Sequence, residues 1–490
     1  MGGELSRARF LRLAGYGVAF SGVFAGLDLF REPSGALDAA TRPRMLARDE
    51  YPVGLWWPPP PGRTGVGRYR EISQAGFNFV IGGNGVTNDQ TNPAALEAAG
   101  ACGLRFVLTD GRLQRLILDA APGGRTAEGG ARSPMQALSG PGRSGAPRHS
   151  ARNPGEAVRL RLLALLKRYG SHPALAGINL FDEPGRRLFG ILSRARDILR
   201  EADAGLLPYI NVWPSYASPR YALGAGSYER YLELYLSVVR PPVLSFDHYP
   251  LLSGGGITGD YFHNWAVIRR FSLRAGIPAW AFIQSVGFDG RAVGLAPRRA
   301  PDGPELLWQV NVALAYGAKG IQYFTYWSPE NTPGAPVRFG SALISRSGRR
   351  TPLYGHARDV NAYLRAVGRV LLPLVSESVV HARERRLPLG ASGFRRDGWV
   401  HSVAGSPVIL GRFRRPGGRR NVRYLLVVNR SSSRAAKVAL ELPSRVARAY
   451  AFDRARRRFF RLRAPRRRGR LRPGMRLGPG AARLLLLQAR

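Results

Sequence analysis

Cysteine occurs once in this chain of 490 residues, at Cys102, which excludes an intrachain disulfide and any metal cluster built on cysteine. Lysine is nearly as scarce. Lys167, Lys319 and Lys437 are the whole complement, so of 74 basic residues all but three are arginine. Acidic residues number only 32, leaving a formal charge of +42. A GC-rich genome produces such an arginine skew by codon bias, and a solvated cationic surface is then the plain reading. The sharper one is attraction to an anionic partner: a cell-wall polymer, a phospholipid surface or nucleic acid. No nucleic-acid-binding module stands behind the charge, so specific nucleic-acid recognition is not expected. The seven histidines are scattered, with no His-x-x-x-His pair on an expected helix, so neither a metal site nor a cofactor is expected. A phosphate-binding glycine loop is missing as well. Where an open dinucleotide-binding sheet needs one, after its first strand, the chain reads Trp56-Trp57-Pro58-Pro59-Pro60-Pro61.

What is present suits a large folded protein. Apolar residues make up 44% of the chain and charged residues 22%, and the length calls for two or three domains. Residues 1–40 read as a signal peptide or N-terminal anchor. Ser6-Arg7-Ala8-Arg9-Phe10-Leu11-Arg12 resembles a twin-arginine signal with Ala8 inside the arginine pair. An uncharged stretch from Leu13 to Leu27 and a small-residue site at Ser34-Gly35-Ala36 follow. Export to the envelope or beyond is the expectation. No later segment is long and apolar enough to span a bilayer.

From Tyr51 onward short apolar runs alternate with amphipathic stretches. Strands are expected at Pro52–Trp57, Phe79–Gly82, Arg105–Thr109, Ala176–Phe181, Pro208–Val212, Val243–Asp247, Ala279–Gln284 and Gly320–Tyr326, each leading to a helix. In the helix over Ala157–Tyr169, Leu160, Leu163 and Leu166 recur at helical spacing. Eight β-then-α units predict an α/β fold, a closed (β/α)8 TIM barrel over 41–373, with Ile178, Leu180, Val243, Leu244 and Ile321 in its core. Residues 121–154, rich in Gly, Pro, Ser and Arg, read as a disordered loop insertion on the barrel's C-terminal face. After Pro373 the helical period stops, and short strands between turns predict a small C-terminal β-sandwich over 374–490.

Active sites of such barrels lie at the C-terminal ends of the strands. The expected strand ends carry Asn84, Asp110, Asp182-Glu183-Pro184, Asn211 with Trp213, Asp247-His248-Tyr249, Gln284, and Tyr326-Trp327. Carboxyls move protons, amides bind hydroxyls, and aromatic faces stack on sugar rings, so this mixture points to glycosidic bonds.

Two stretches carry a family resemblance. Ser171-His172-Pro173-Ala174-Leu175-Ala176-Gly177, leading to Phe181-Asp182-Glu183-Pro184, resembles the fourth strand of the clan A retaining glycosidases. Ala313-Leu314-Ala315-Tyr316-Gly317-Ala318-Lys319-Gly320, running into Tyr323-Phe324-Thr325-Tyr326-Trp327, resembles their eighth, particularly in the β-galactosidase-like barrels. The resemblance implies that Glu183 is the acid/base and that Trp327 lies under the sugar. It also implies a glutamate nucleophile on strand seven, where this chain has Gln284, an amide that cannot form a glycosyl ester. Asp182 stands where the family usually has asparagine.

Two readings stay open. In one, an exported glycoside hydrolase cuts an oligo- or polysaccharide with Glu183 as acid and Asp247 as base. Asp110, Asp182 and Glu330 are weaker partners. Two strand spacings give roughly 9 Å, less some barrel curvature and side-chain reach, which favours the inverting range of about 6.5–9.5 Å over the retaining one of about 5–5.5 Å. Asn84, Asp110, Asp182, Asn211, Trp213, Tyr249, Gln284, Tyr326 and Trp327 then bind substrate. In the other reading, the site belongs to a non-catalytic carbohydrate-binding pseudoenzyme of the envelope. An anionic cell-wall polymer is a further candidate partner in either case.

Overall fold

The computed structural model describes residues 43–47, 49–122 and 153–490. The expected leader over 1–40 lies outside them, as does the loop insertion apart from its ends at 121–122 and 153–154.

Eight parallel strands close into a barrel: β1 (Val53–Leu55), β2 (Phe79–Ile81), β3 (Arg105–Thr109), β4 (Leu175–Asp182), β5 (Leu207–Val212), β6 (Leu244–Asp247), β7 (Ala279–Gln284) and β8 (Gly320–Phe324). Each strand pairs with its neighbours in sequence, and β8 returns to β1 through Val53 opposite Ile321. The strands are buried almost throughout because helices cover one face and the barrel interior the other. Ile178, Leu180, Val243, Leu244 and Ile321 all lie in the core. The helices are α1 (Val66–Gln74), α2 (Asn92–Ala101), α3 (Gly111–Asp119), α4 (Pro154–Tyr169), α5 (Phe189–Ala202), α6 (Tyr228–Val238), α7 (Tyr261–Ala275), α8 (Gly303–Ala315) and α9 (Pro352–Leu371).

Two local expectations change. Helix α3 follows directly from Asp110, whose carboxylate caps it by accepting from the Leu113 amide at 2.7 Å. In α4 the buried stripe is Val158, Leu162, Leu165 and Tyr169, while Leu160 is 57% exposed and Leu163 36%. So many leucines follow one another there that several helical faces fit the sequence, and packing chooses one.

Antiparallel strands beyond the barrel form a sandwich. Its larger sheet has six strands, including Val375–Ala382, Val408–Arg414, Val422–Asn429 and Ala482–Ala489; a three-stranded sheet holds Ser402–Gly405, Ala436–Glu441 and Gly474–Leu477. It seats on α8. Trp308 donates to the carbonyl of Arg430 at 3.1 Å, and Asn311 to that of Gly480 at 2.8 Å. Gly480 has φ +66°, and a Cβ there would lie 2.2 Å from the Pro304 carbonyl oxygen, so only glycine permits the approach. Among the described residues no helix is long and apolar enough to cross a membrane.

Candidate active site

Strand β4 carries an irregularity in its pairing with β5 between Asn179 and Phe181, which changes the alternation of side chains along its last residues. The strand ends at Asp182, and Glu183 turns the chain with φ +51°, a left-handed conformation that costs energy for a side-chain-bearing residue. The Glu183 amide donates to the Asn211 carbonyl at 2.7 Å, tying this turn to the end of β5.

The two acids expected to work together do meet. Asp247, at the end of β6, is hydrogen-bonded to Glu183, to Tyr249 and to Asn211. The Asn211 amide donates to Asp247 Oδ1 at 2.9 Å. Glu183 is 2% exposed and Asp247 1%. Burial pushes the Asp247 carboxyl up to about 7, against the hydrogen bonds from Asn211, Glu183 and Tyr249 that favour its ionised form. The gap of about 6.5–9.5 Å expected from strand spacing is therefore not what the structure holds. Strand spacing sets backbone positions, whereas both side chains reach inward across the barrel mouth and close the distance.

Asp182 is also held above the ordinary carboxylate range, first by burial and then by the charge of Asp247. Neither of its oxygens meets a donor at hydrogen-bonding geometry; the nearest offsetting group is the amide of Asn211.

A polar line runs from the barrel centre to this pair. Tyr209 donates to Gln322 Oε1 at 2.6 Å and lies 2.8 Å from Ser245 Oγ. Gln322 donates to Ser245 at 3.0 Å, Ser245 to Asn211 Oδ1 at 3.0 Å, and Asn211 to Asp247. The line fixes which end of the Asn211 amide faces Asp247. Sequence reading missed Tyr209, Ser245 and Gln322. The signal was available for two of them, since Tyr209 and Asn211, like Ser245 and Asp247, stand two apart in otherwise apolar strands and so share the inward face.

Trp213 lies close by, buried, and its indole nitrogen has no hydrogen-bond partner among the described residues. Tyr216, also missed, lies in the field of Asp247, Glu183 and Asp260, which together with burial raise its hydroxyl well above the ordinary tyrosine value, against Arg298. Tyr249 stacks on Phe324 with centroids 4.7 Å apart, and its carbonyl accepts from Arg298 at 2.7 Å.

Other expected site residues are occupied elsewhere. Asp110 is fully buried in a two-armed bond to Arg161, 3.1 and 2.6 Å, besides capping α3. The Gln284 amide accepts from the Leu251 N–H at 2.9 Å and donates to the Arg299 carbonyl at 2.5 Å, which anchors two loops. Asn84 donates to the Pro58 carbonyl at 2.7 Å. Tyr326 sets its ring edge-on to Phe77, near Tyr354 and Glu71, on the helix side of the barrel. Trp327 is 2% exposed beneath the guanidinium of Arg68, so it is core and not an open platform. Both aromatics lie past the end of β8, where strand alternation no longer tells inside from outside. His248 bonds Asn264 and Thr258 with its two ring nitrogens, at 2.8 Å each, and burial lowers its proton affinity. Glu330 is largely exposed, 3.9 Å from Arg346. Among the described residues no group of three or more His, Cys, Asp or Glu side chains is placed to hold a metal ion.

No family model matches the chain, and no curated protein does either. Among solved structures, the GH30 endoxylanase from Clostridium papyrosolvens C71 is 11% identical with a TM-score of 0.41, over 90% of this chain and 96% of that one. The native xylanase 10B from Thermotoga maritima is 11% identical with a TM-score of 0.39, over 66% of this chain and 98% of that one. Likenesses of this size say nothing of activity, and the barrel rests on its own strand order.

Proposed function

We propose that the protein is a glycoside hydrolase in which Glu183 is the proton donor and Asp247 its anionic partner. One observation carries the reading: two buried acids, Glu183 just after β4 and Asp247 at the end of β6, lie together at the C-terminal end of a closed barrel, where such folds place their chemistry. A general acid must keep its proton near neutral pH. Substrate entering between the two would part them. Glu183 would then protonate the leaving oxygen as the glycosidic C–O bond breaks. Water would add to the anomeric carbon, its proton returning to the carboxyl pair. Asn211, Trp213 and Tyr249 would bind sugar hydroxyls and ring faces, and Asp182 would sustain the acidity of its neighbours. Gln284, Asp110, Asn84, Tyr326 and Trp327 have no part in this reading.

The test is release of reducing sugar from a panel of aryl glycosides and bacterial wall glycans, with Glu183→Gln beside the wild type. The variant should fold normally and lose most turnover, about a hundredfold or more. Equal rates in the two proteins would end the assignment. Glycan binding by the wild type with no turnover on any substrate would make the protein a binding module instead. We also propose export, on the strength of the arginine-bearing, apolar N-terminal segment.

A further inference from the structure

The polar line inside the barrel runs one way. Tyr209 donates to Gln322 Oε1 at 2.6 Å, Gln322 Nε2 to Ser245 Oγ at 3.0 Å, Ser245 to Asn211 Oδ1 at 3.0 Å, and Asn211 Nδ2 to Asp247 Oδ1 at 2.9 Å. Its members come from β5, β6 and β8, and each is 1% exposed or less, so bulk water does not compete for its donors and acceptors. A hydroxyl has one proton and an amide has unlike ends, so the direction of each bond dictates the next. Tyr209 closes the head of the line, since its hydroxyl also lies 2.8 Å from Ser245 Oγ and the Ser245 proton is already on Asn211. The alternative is the same line reversed, with Asn211 turned to accept from Asp247. That form needs Asp247 to carry a proton of its own. The direction in the structure puts a donor on Asp247 Oδ1 instead, which suits a carboxylate. Asn211 alone could turn either way; Ser245, and behind it Gln322 and Tyr209, remove that freedom.

We propose that Tyr209, Ser245 and Gln322 are positioning residues for the two acids: acting through Asn211, they keep an N–H donor on Asp247 and so make it the anion of the pair. The inference rests on the glycosidase reading and carries it into the barrel interior. A fixed donor weakens the hold of Asp247 on a proton, which leaves Glu183 as the member that gives one to the leaving oxygen.

The experiment uses the full chain with its aspartates isotopically labelled at the carboxyl carbon and followed by NMR; the Asp247 signal is the one missing from Asp247→Asn. Ser245→Ala breaks the line without changing a charge. The titratable groups that bear on Asp247, namely Asp182, Glu183, Tyr209, Tyr216, Tyr228 and Tyr249, all stay in place. In that variant the Asp247 midpoint should rise by about one pKa unit. Tyr209→Phe should move it in the same direction by less. Tyr323→Phe removes another buried hydroxyl bond, from β8 to Asn361 of α9, and should cost stability while leaving Asp247 where it is. The acidic limb of the kcat/KM profile should climb with the midpoint in Ser245→Ala, because that limb reads ionisation of the base. An unmoved midpoint in both Ser245→Ala and Tyr209→Phe, or an equal rise in Tyr323→Phe, would overturn the proposal. A wild type without turnover on any glycan would end the glycosidase reading, and the carboxyl titration would still decide the positioning.

Discussion

Replacing Asp247 by asparagine should reverse a pH dependence that the buried acids impose on folding. In the native protein Asp247 titrates near 7, against an ordinary value of 3.8. Between those values the native state keeps a proton that the unfolded chain has released, so stability falls as pH rises through the window and levels off above it. A shift of about three pKa units corresponds to roughly 4 kcal/mol. That loss is shared with Asp182, whose own rise comes partly from the charge of Asp247. His248 and His381 act in the opposite sense. Both are held neutral by burial, so their contribution grows with pH up to about 6.5, and the wild-type profile alone is a mixture. The difference between wild type and Asp247→Asn isolates the acid pair, since both proteins keep the histidines. Urea unfolding followed by tryptophan fluorescence at pH 4.5, 5.5, 6.5 and 7.5 gives that difference. The wild type should lose about 3 kcal/mol relative to the variant across this range, the rest of the shift falling outside it. Parallel profiles would mean that Asp247 is ionised like a surface carboxylate.

Other outcomes follow from the same geometry. Turnover should fall about a hundredfold or more in Glu183→Gln, read as reducing-sugar release with unchanged circular dichroism. Arg161→Ala should cost about 3–5 kcal/mol, because Asp110 is left buried without its partner; urea titration checks this, and KM should not move. Gly480→Ala should lower the melting temperature clearly, since the new methyl group meets the Pro304 carbonyl and the backbone sits at φ +66°. Fractionation of cells producing the full chain should place it outside the cytoplasm, and a cytoplasmic pool alone would refute export.

The architecture was legible because its signals were long and repeated. Each barrel strand is a short apolar run, as at Ile178–Phe181 and Ala279–Ile283, and eight such runs separated by helical stretches leave few alternatives. The Glu183 and Asp247 positions were legible too, since charge at the end of an apolar strand stands out. Direction and reach were not. Gln284, Asp110 and Trp327 occupy the right places in the chain, yet side-chain torsions and loop anchors turn them to structural work. The carboxyl separation failed for a related reason: strand spacing fixes backbones, while two acids facing across a barrel mouth can close several ångströms through their own bonds. Ser245 and Gln322 sit inside apolar runs and not at their ends, so strand-end reasoning passes over them, although they meet inside the barrel.

Helix α8 gives the two folded parts a common fate. The outer side of a barrel helix usually faces water, but here Leu306, Trp308, Val310, Asn311 and Leu314 are all buried, and the sandwich covers the side turned away from the strands. A chain cut after the barrel would expose that apolar surface, and the indole and amide of Trp308 and Asn311 would lose their acceptors. The sandwich is thus the eighth helix's outer wall. Sequence drift on either side of the boundary must preserve one shared seam, and an isolated barrel of this sequence should aggregate where the intact chain stays monodisperse.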